Sequence, residues 1–293
     1  MKTAVVVNPQ AGGGRCKHRV QGALVALRNA GWTLEVLTTT APKHATQLAR
    51  QAWERGFRRF VVVGGDGTSF EVLCGLPLGG EPPTLGFLPL GTGNSFIRDA
   101  GITTESQALQ RLLAQPSRPC DVIEATHTKG TFVYLNMLSM GFAGRVGALT
   151  NRYFKGLGTA GYQVAVLLAL AGLRPVQLPY SIDDNLNSSP LNLLSFCNSQ
   201  YTGGAMHMAP SARIDDGVLD VVRVGPMGRL ALLRAFPSLF RGEHVLRPDV
   251  MVTQTAAVRF DLDAPTDIVV DGEAMRVQLT ALRVLPGAIR VML

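Results

Sequence analysis

Short runs of β-branched and apolar residues alternate with longer mixed segments through the first third of the chain. Thr3–Val7 reads as a strand, and the loop Asn8–Arg15 follows it. Val20–Asn29 carries apolar residues at helical spacing and stops at Ala30-Gly31, so it reads as a helix. Leu34–Thr38 and Ala45–Arg55 repeat the pair, the second helix closing at Gly56. Phe60–Val63 and Thr84–Leu88 are further strands, with a helix expected to begin over Ser69–Cys74. Strands alternating with helices predict an α/β domain with a largely parallel sheet.

Around Ser117–Cys120 the pattern changes. Asp121–Thr126, Thr131–Ser139, Leu191–Asn198, Val218–Val224 and Val250–Phe260 read as strands without a helix between each pair. Asp267–Val270, Arg276–Leu282 and Ile289–Leu293 follow in the same manner. Gly, Asp and Asn turns between them predict a mainly antiparallel, β-sandwich second domain. Two apolar helical stretches, Thr159–Leu173 and Met227–Arg241, interrupt it. The expected division is residues 1–120, then 121–283, with 284–293 able to return and complete the first domain. A length of 293 residues suits two domains.

Composition narrows the classes. With 46% hydrophobic and 17% charged residues, the chain can build cores and is not a disordered polyelectrolyte. Its four cysteines stand far apart and form no CxxC pair, against a zinc or dithiol site. The histidines form no HxH or HxxxH pair, and His44 reads as support for its loop. Net charge is +7, which favours anionic partners without choosing among them. Aromatics are sparse and not interleaved with basic residues, so nucleic acid is not an expected partner. The N-terminus suits a first strand better than a signal peptide. The apolar stretch Val164–Leu173 falls short of the roughly 20 residues that span a bilayer. A cytoplasmic address, peripheral at an inner membrane face, is the expectation. Sequence leaves homodimer formation open.

The strongest chemical signal is Val61-Val62-Val63 running into Gly64-Gly65-Asp66-Gly67-Thr68. Glycines let backbone N–H groups approach an anion, and a helix starting just beyond adds its positive end. Asp66 suits orienting a ligand or holding magnesium near phosphates. A plain βα turn with Asp66 as helix cap is the alternative. Pro89-Leu90-Gly91-Thr92-Gly93-Asn94-Ser95 has the same design after the next strand, and Asn8-Pro9 with Gly12-Gly13-Gly14 supplies a third loop. All three fall at the carboxyl ends of parallel strands, where such sheets bind ligands. Neither a Walker loop nor a dinucleotide fingerprint is present.

In spacing and order these loops resemble the diacylglycerol kinase catalytic-domain family, bacterial lipid kinase branch, related to sphingosine kinases and NAD kinases. Asn8-Pro9, Thr39, Gly64–Thr68 with Glu71, and Gly91-Thr92-Gly93-Asn94 match its first-domain blocks. Phe70 and Ser95 depart from it, standing where asparagine and aspartate are common. In the second half Asn136, Ser139-Met140-Gly141-Phe142, Asp215-Asp216-Gly217-Val218-Leu219-Asp220 and Val270-Asp271-Gly272-Glu273 follow in order.

The resemblance implies an ATP-dependent lipid kinase working with Mg2+. Asn8, Thr39, Gly64, Gly65, Asp66, Gly67, Thr68, Gly91, Thr92 and Asn94 would bind nucleotide. Asp215, Asp216 and the Leu219 carbonyl would hold a structural magnesium, unless the segment is simply an acidic turn. Asp271 would be the general base, Glu273 its acidic partner, and Asp66 a further catalytic group. At i and i+2 on a strand the two carboxylates share a face, whereas an Asp-Gly hairpin turn would separate them. Diacylglycerol is the leading acceptor, converted to phosphatidic acid, with phosphatidylglycerol and sphingoid bases as alternatives. An NAD-kinase-like enzyme and a non-catalytic nucleotide- or lipid-binding regulator are the rival readings. Transient contact with an anionic membrane surface is expected, with the two apolar helices either lining a tail groove, resting on that surface or packing in the core.

Overall fold

The computed structural model describes residues 2–14, 16–91, 93–154 and 158–293. The chain forms two compact units, Met1–Val122 with Leu285–Leu293, and Ile123–Val284.

The first unit contains β1 (Lys2–Val7), α1 (Cys16–Asn29), β2 (Thr33–Thr38), α2 (His44–Glu54), β3 (Arg59–Gly64), α3 (Asp66–Gly75), β4 (Thr84–Pro89) and α4 (Glu105–Ala114). Strands β2, β1, β3 and β4 pair in that order, all in parallel. The Val-rich runs of β1 and β3 are buried on both sides, as central parallel strands require, while β2 is half-exposed at the edge. Helix α3 begins at Asp66, not at Ser69, so Asp66-Gly67-Thr68 is itself the first helical turn. Helix α4 was not expected from periodicity. Its signal is a capping box: Thr104 Oγ1 accepts from the Gln107 N–H at 3.2 Å, and the Gln107 side chain accepts from the Thr104 N–H at 3.1 Å.

The second unit continues with β5 (Arg118–His127, begun in the first), β6 (Gly130–Tyr134), β7 (Met137–Gly141), α5 (Phe142–Leu149) and α6 (Gly158–Ala171). Next come β8 (Tyr180–Ile182), β9 (Asn185–Asn187), β10 (Leu193–Cys197), β11 (Tyr201–Thr202), β12 (Met206–His207), β13 (Leu219–Val224) and α7 (Arg229–Arg241). The chain ends with β14 (Val250–Thr255), β15 (Ala257–Phe260), β16 (Thr266–Val270), β17 (Glu273–Val277) and β18 (Leu279–Met292). Strands β14-β13-β10-β7-β16-β17 form one antiparallel sheet. Strands β6-β5-β18-β15-β8-β9 neighbour one another in a second. Phe196 of the first sheet meets Phe260 and Tyr180 of the second edge-on, at 5.3 and 6.3 Å between ring centres. The last turns of β18 lie in the first unit, where Arg290–Met292 pair in parallel with Thr84–Gly86.

Three expected strands are divided. Thr131–Ser139 breaks between β6 and β7, where its N–H groups leave the ladder for a side chain described below. Val250–Phe260 changes sheets at Ala256: β14 pairs with β13, and β15 with β18 and β8. Arg276–Leu282 breaks at Gln278, whose carbonyl accepts the Thr128 N–H at 3.1 Å. Helix α5 escaped periodicity because it contains two glycines. They serve packing instead: a Cβ at Gly144 would lie 2.0 Å from the Asp267 carbonyl, so only glycine lets α5 settle on β16.

Helix α7 runs into a buried histidine. His244 donates Nε2–H to the Met208 carbonyl at 2.9 Å, leaving Nδ1 buried without a partner. Burial chiefly, and nearby His207 in addition, pull its titration below the ordinary imidazole range, against the hydrogen bond to Met208. The folded state therefore keeps this ring neutral. Its contribution to stability is present above the unfolded value of about 6.5 and is lost as pH falls through the lower folded value. Urea denaturation at pH 7.5 and 5.5 is expected to show a loss of stability in acid that is smaller in His244→Gln. An equal loss in both proteins would remove His244 as its source.

Candidate active site

Four loops leave the carboxyl edge of the parallel sheet, and the start of α3 holds three of them. The Asn8 side-chain amide donates to Thr68 Oγ1 at 3.2 Å, tying the loop after β1 to α3. Glu71 accepts the Lys43 N–H at 2.8 Å and the Ala45 N–H at 3.2 Å. One α3 carboxylate thus caps the amino end of α2 and fixes the loop after β2. That loop also places Thr39, buried, with its N–H on the Val7 carbonyl at 2.9 Å. His44 supports it by accepting the Thr40 N–H at 3.1 Å.

The loop after β4 is held by Asp66. The Ser95 N–H donates to its two oxygens at 2.9 and 3.1 Å, and the Ser95 hydroxyl and the Phe96 N–H add to this. Burial pushes the Asp66 carboxyl up, against the lowering effect of those donors. Asp66 is neither the helix cap, which is Gly65, nor directed outward from the glycine turn. Phe70 lies in the core, and Ser95 supplies a donor where a second aspartate would set like charges together.

Main chain completes the cradle. The Gly91 N–H donates to the Gly64 carbonyl at 2.9 Å, and a Cβ on Gly91 would fall 2.4 Å from Gly65 Cα. The two glycine loops therefore touch backbone to backbone. Asn94, at φ +50°, folds its amide onto the Gly91 carbonyl at 2.9 Å. Thr92 lies outside the described residues. Gly65 closes the first turn of α3 by accepting the Thr68 and Ser69 N–H groups, while the N–H groups before them have no partner within the helix. The crevice beneath the loops is about 10 Å3, room for about one water. An anion would sit across the rim, against the positive end of α3.

In the second unit Asp271 occupies a two-residue turn between β16 and β17. Asp271 and Gly272 have φ of +46° and +85°, the pair of positive values that an Asp-Gly hairpin favours. Of the two arrangements open to this segment, the hairpin turn is the one formed: Asp271 is in the turn and buried, and Glu273 is exposed at the start of β17. Asp271 accepts the Leu135 N–H at 2.9 Å on Oδ2, and the Asn136 and Met137 N–H groups at 3.0 Å each on Oδ1. These donors lie where the chain passes from β6 in one sheet to β7 in the other. On its other side the same segment meets Asn198 and Ser199: the Asn198 amide donates to the Leu135 carbonyl at 2.8 Å, and the Ser199 hydroxyl donates to Asn136 Oδ1.

The acidic turn before β13 is more open. Asp215 accepts from Arg213 at 3.3 Å, and Asp216 from the Val218 N–H at 3.2 Å, each through one oxygen. Asp220 points elsewhere, to Ser211 and Gln254, and Leu219 is buried in β13. Among the described residues no three His, Cys, Asp or Glu side chains gather as a metal site. Two carboxylates and a main-chain carbonyl are hard oxygen donors, which fits magnesium retaining waters. The loop-pinning role of Glu71 and the Asn198–Ser199 pair escaped the sequence reading, since neither meets its partners locally.

A parallel sheet with glycine loops gathered on one helix end, and antiparallel sheets in the second unit, define the class of two-domain α/β plus β-sandwich proteins. The diacylglycerol kinase catalytic domain matches residues 2–125, and the YegS C-terminal NAD kinase beta sandwich-like domain matches residues 136–293. A "Probable lipid kinase YegS-like" of Pseudomonas aeruginosa (strain UCBPP-PA14) is 32% identical over 276 residues, 94% of this chain and 89% of that protein. The "Diacylglycerol kinase" of Bacillus subtilis (strain 168) is 28% identical, covering 93% and 90% of the two chains. A crystal structure titled as a diacylglycerol kinase from Bacillus anthracis str. Sterne superposes with a TM-score of 0.72 at 21% identity, over 99% of this chain and 96% of that one. The chain belongs to the YegS-like lipid kinase family.

Replacing Gly91 by alanine is expected to force the two glycine loops apart. The cost is about 1–3 kcal/mol, read as a fall in denaturant midpoint. An unchanged midpoint would show that the loops are not in contact.

Proposed function

We propose that this protein is a kinase that transfers the γ-phosphoryl group of ATP to a lipid hydroxyl, with diacylglycerol as acceptor and phosphatidic acid as product. The observation that carries the reading is the joining of the glycine loops after β3 and β4 at the amino end of α3. Backbone N–H groups and a helix end suit a polyphosphate. A lipid acceptor is supported by the names of the relatives, a lipid kinase and a diacylglycerol kinase. Phosphatidylglycerol, sphingoid bases and NAD also offer a hydroxyl and are arms of the test.

In this reading the main chain at Gly65 and Gly67 receives phosphates, Gly64 and Gly91 join the two loops that shape the site, and Thr92 offers a hydroxyl. Asn8, Thr39, Thr68 and Asn94 set the nucleotide's surroundings, and Asp66 holds the β4 loop in place. As the lipid oxygen bonds to the γ-phosphorus, the bond to the leaving ADP oxygen breaks and the hydroxyl proton passes to a carboxylate. We assign that proton to Asp271, with Glu273 as its acidic partner. A carboxylate has roughly four acceptor positions, and the main chain takes three here, so Asp271 is oriented in advance. Magnesium bound with ATP would neutralise charge developing on the phosphates. Asp215, Asp216 and the Leu219 carbonyl are the proposed ligands of a separate, structural magnesium. The protein would work in the cytoplasm, in transient contact with the anionic face of the inner membrane.

The test is transfer from labelled ATP to diacylglycerol, phosphatidylglycerol, sphingosine and NAD, with product identification. Label on diacylglycerol is expected; label on NAD alone, or on no acceptor, would overturn the reading. Asp271→Asn is expected to lose at least about 100-fold in kcat, as for removal of a general base. It should also lose stability, because an amide cannot accept from all three donors; about 1–3 kcal/mol is expected for a donor left unpaired. Glu273→Gln should keep stability and lose less rate. If Glu273→Gln abolishes transfer while Asp271→Asn only lowers stability, the base is Glu273. For the structural ion, added magnesium is expected to raise the melting temperature of the wild type but not of Asp215→Ala. No rise in the wild type removes that site.

A further inference from the structure

Helix α7 shows its large apolar side chains to the outside. Leu230, Leu233, Phe236 and Phe240 are 68, 53, 39 and 49% exposed. Steps of three, three and four residues place them on one stripe. The opposite face seats Ala235 and Leu239, Leu239 packing against a buried cluster that includes Met208 and Ala212. A surface helix of a globular protein turns its apolar stripe inward; α7 has a small inner face and a larger apolar outer one. Every ionisable residue in it is basic: Arg229, Arg234 and Arg241. The nearest acidic group, Glu243, follows the helix and pairs with Arg241 at 2.6 Å.

The stripe is not a spanning segment. Thirteen residues make a helix of about 20 Å, against a hydrocarbon core of about 30 Å. Among the described residues no helix is long and apolar enough to cross a membrane. A second copy of the chain is a poor occupant, because a two-fold pairing of the stripes brings arginine toward arginine. With Arg241 paired to Glu243, the charges left beside the apolar face are the exposed Arg229 and Arg234, and that combination complements the headgroup region of an anionic bilayer. We propose that α7 is the element that docks this protein on anionic lipid, its Leu–Phe stripe entering the headgroup–acyl boundary and Arg229 and Arg234 meeting lipid phosphates. Helix α6 also exposes Leu167 and Leu168, but it carries no charge, and nothing indicates what covers it. The proposal rests on the protein working at a membrane surface, not on which lipid accepts phosphate.

Flotation of the full chain with vesicles of phosphatidylcholine, alone or mixed equally with phosphatidylglycerol, tests it. Binding is expected only to the mixed vesicles and should weaken with added salt. The double variant Leu230→Gln/Leu233→Gln should bind at least about tenfold more weakly, as expected for losing two buried leucines. Arg234→Glu should also lose binding, while both variants keep the wild-type melting temperature and ATP affinity. Undiminished vesicle binding by the double variant overturns the proposal. So does a wild-type dimer in sedimentation that these changes dissociate without affecting vesicle binding. Retained, α7-dependent vesicle binding with no phosphate transfer to any acceptor would instead sink the kinase reading and leave the docking surface standing.

Discussion

The first turns of α3 carry the constraint on which the first unit's site depends. Asp66, Thr68 and Glu71 each hold a different loop: Asp66 the one after β4, Thr68 the one after β1 through Asn8, and Glu71 the one after β2. Parallel strands deliver all these loops to one edge, but delivery alone leaves them floppy. Side chains spread over six residues of a helix point in different directions, and here each direction meets a loop. The helix whose positive end opens at the glycine loops also holds the loops around it together. Asp66 spends its buried charge on this assembly, with Ser95 as the donor that makes the burial tolerable.

A related arrangement organises the second unit. The Asp271 carboxylate takes three main-chain N–H groups from Leu135–Met137, and the strand pairing stops there. Asn198 and Ser199 hold the same segment from the other side. A chain segment leaving a ladder inside a core needs partners for each N–H, and a hairpin turn with two positive φ values brings the carboxylate within reach. The turn and the chemical group are one object. The Asp-Gly hairpin and the carboxylate held by three N–H groups are thus made by the same residues.

The outer face of α7 obeys a different physics. Its stripe is neither buried by the fold nor broken by polar residues, and its charge is of one sign. Exposed apolar surface costs free energy in water, so a partner that covers it stabilises the bound state. The site loops are held by interactions inside the molecule; α7 leaves its interaction to be made outside.

The layered first domain, the antiparallel second one and the glycine loops are legible along the chain, because two-sided apolar runs, strand alternation and Gly-rich turns are local patterns. Even the missed helix α4 was legible in Thr104 and Gln107. The tertiary structure decided which partner each polar group takes. Asp66 lies 29 residues from Ser95, and Asp271 lies 136 residues from Leu135. It also decided where a long apolar run must break and which face of α7 stays uncovered. Hydrogen bonds and burial are settled by groups that meet only after the chain has folded, and no spacing along the sequence encodes those meetings.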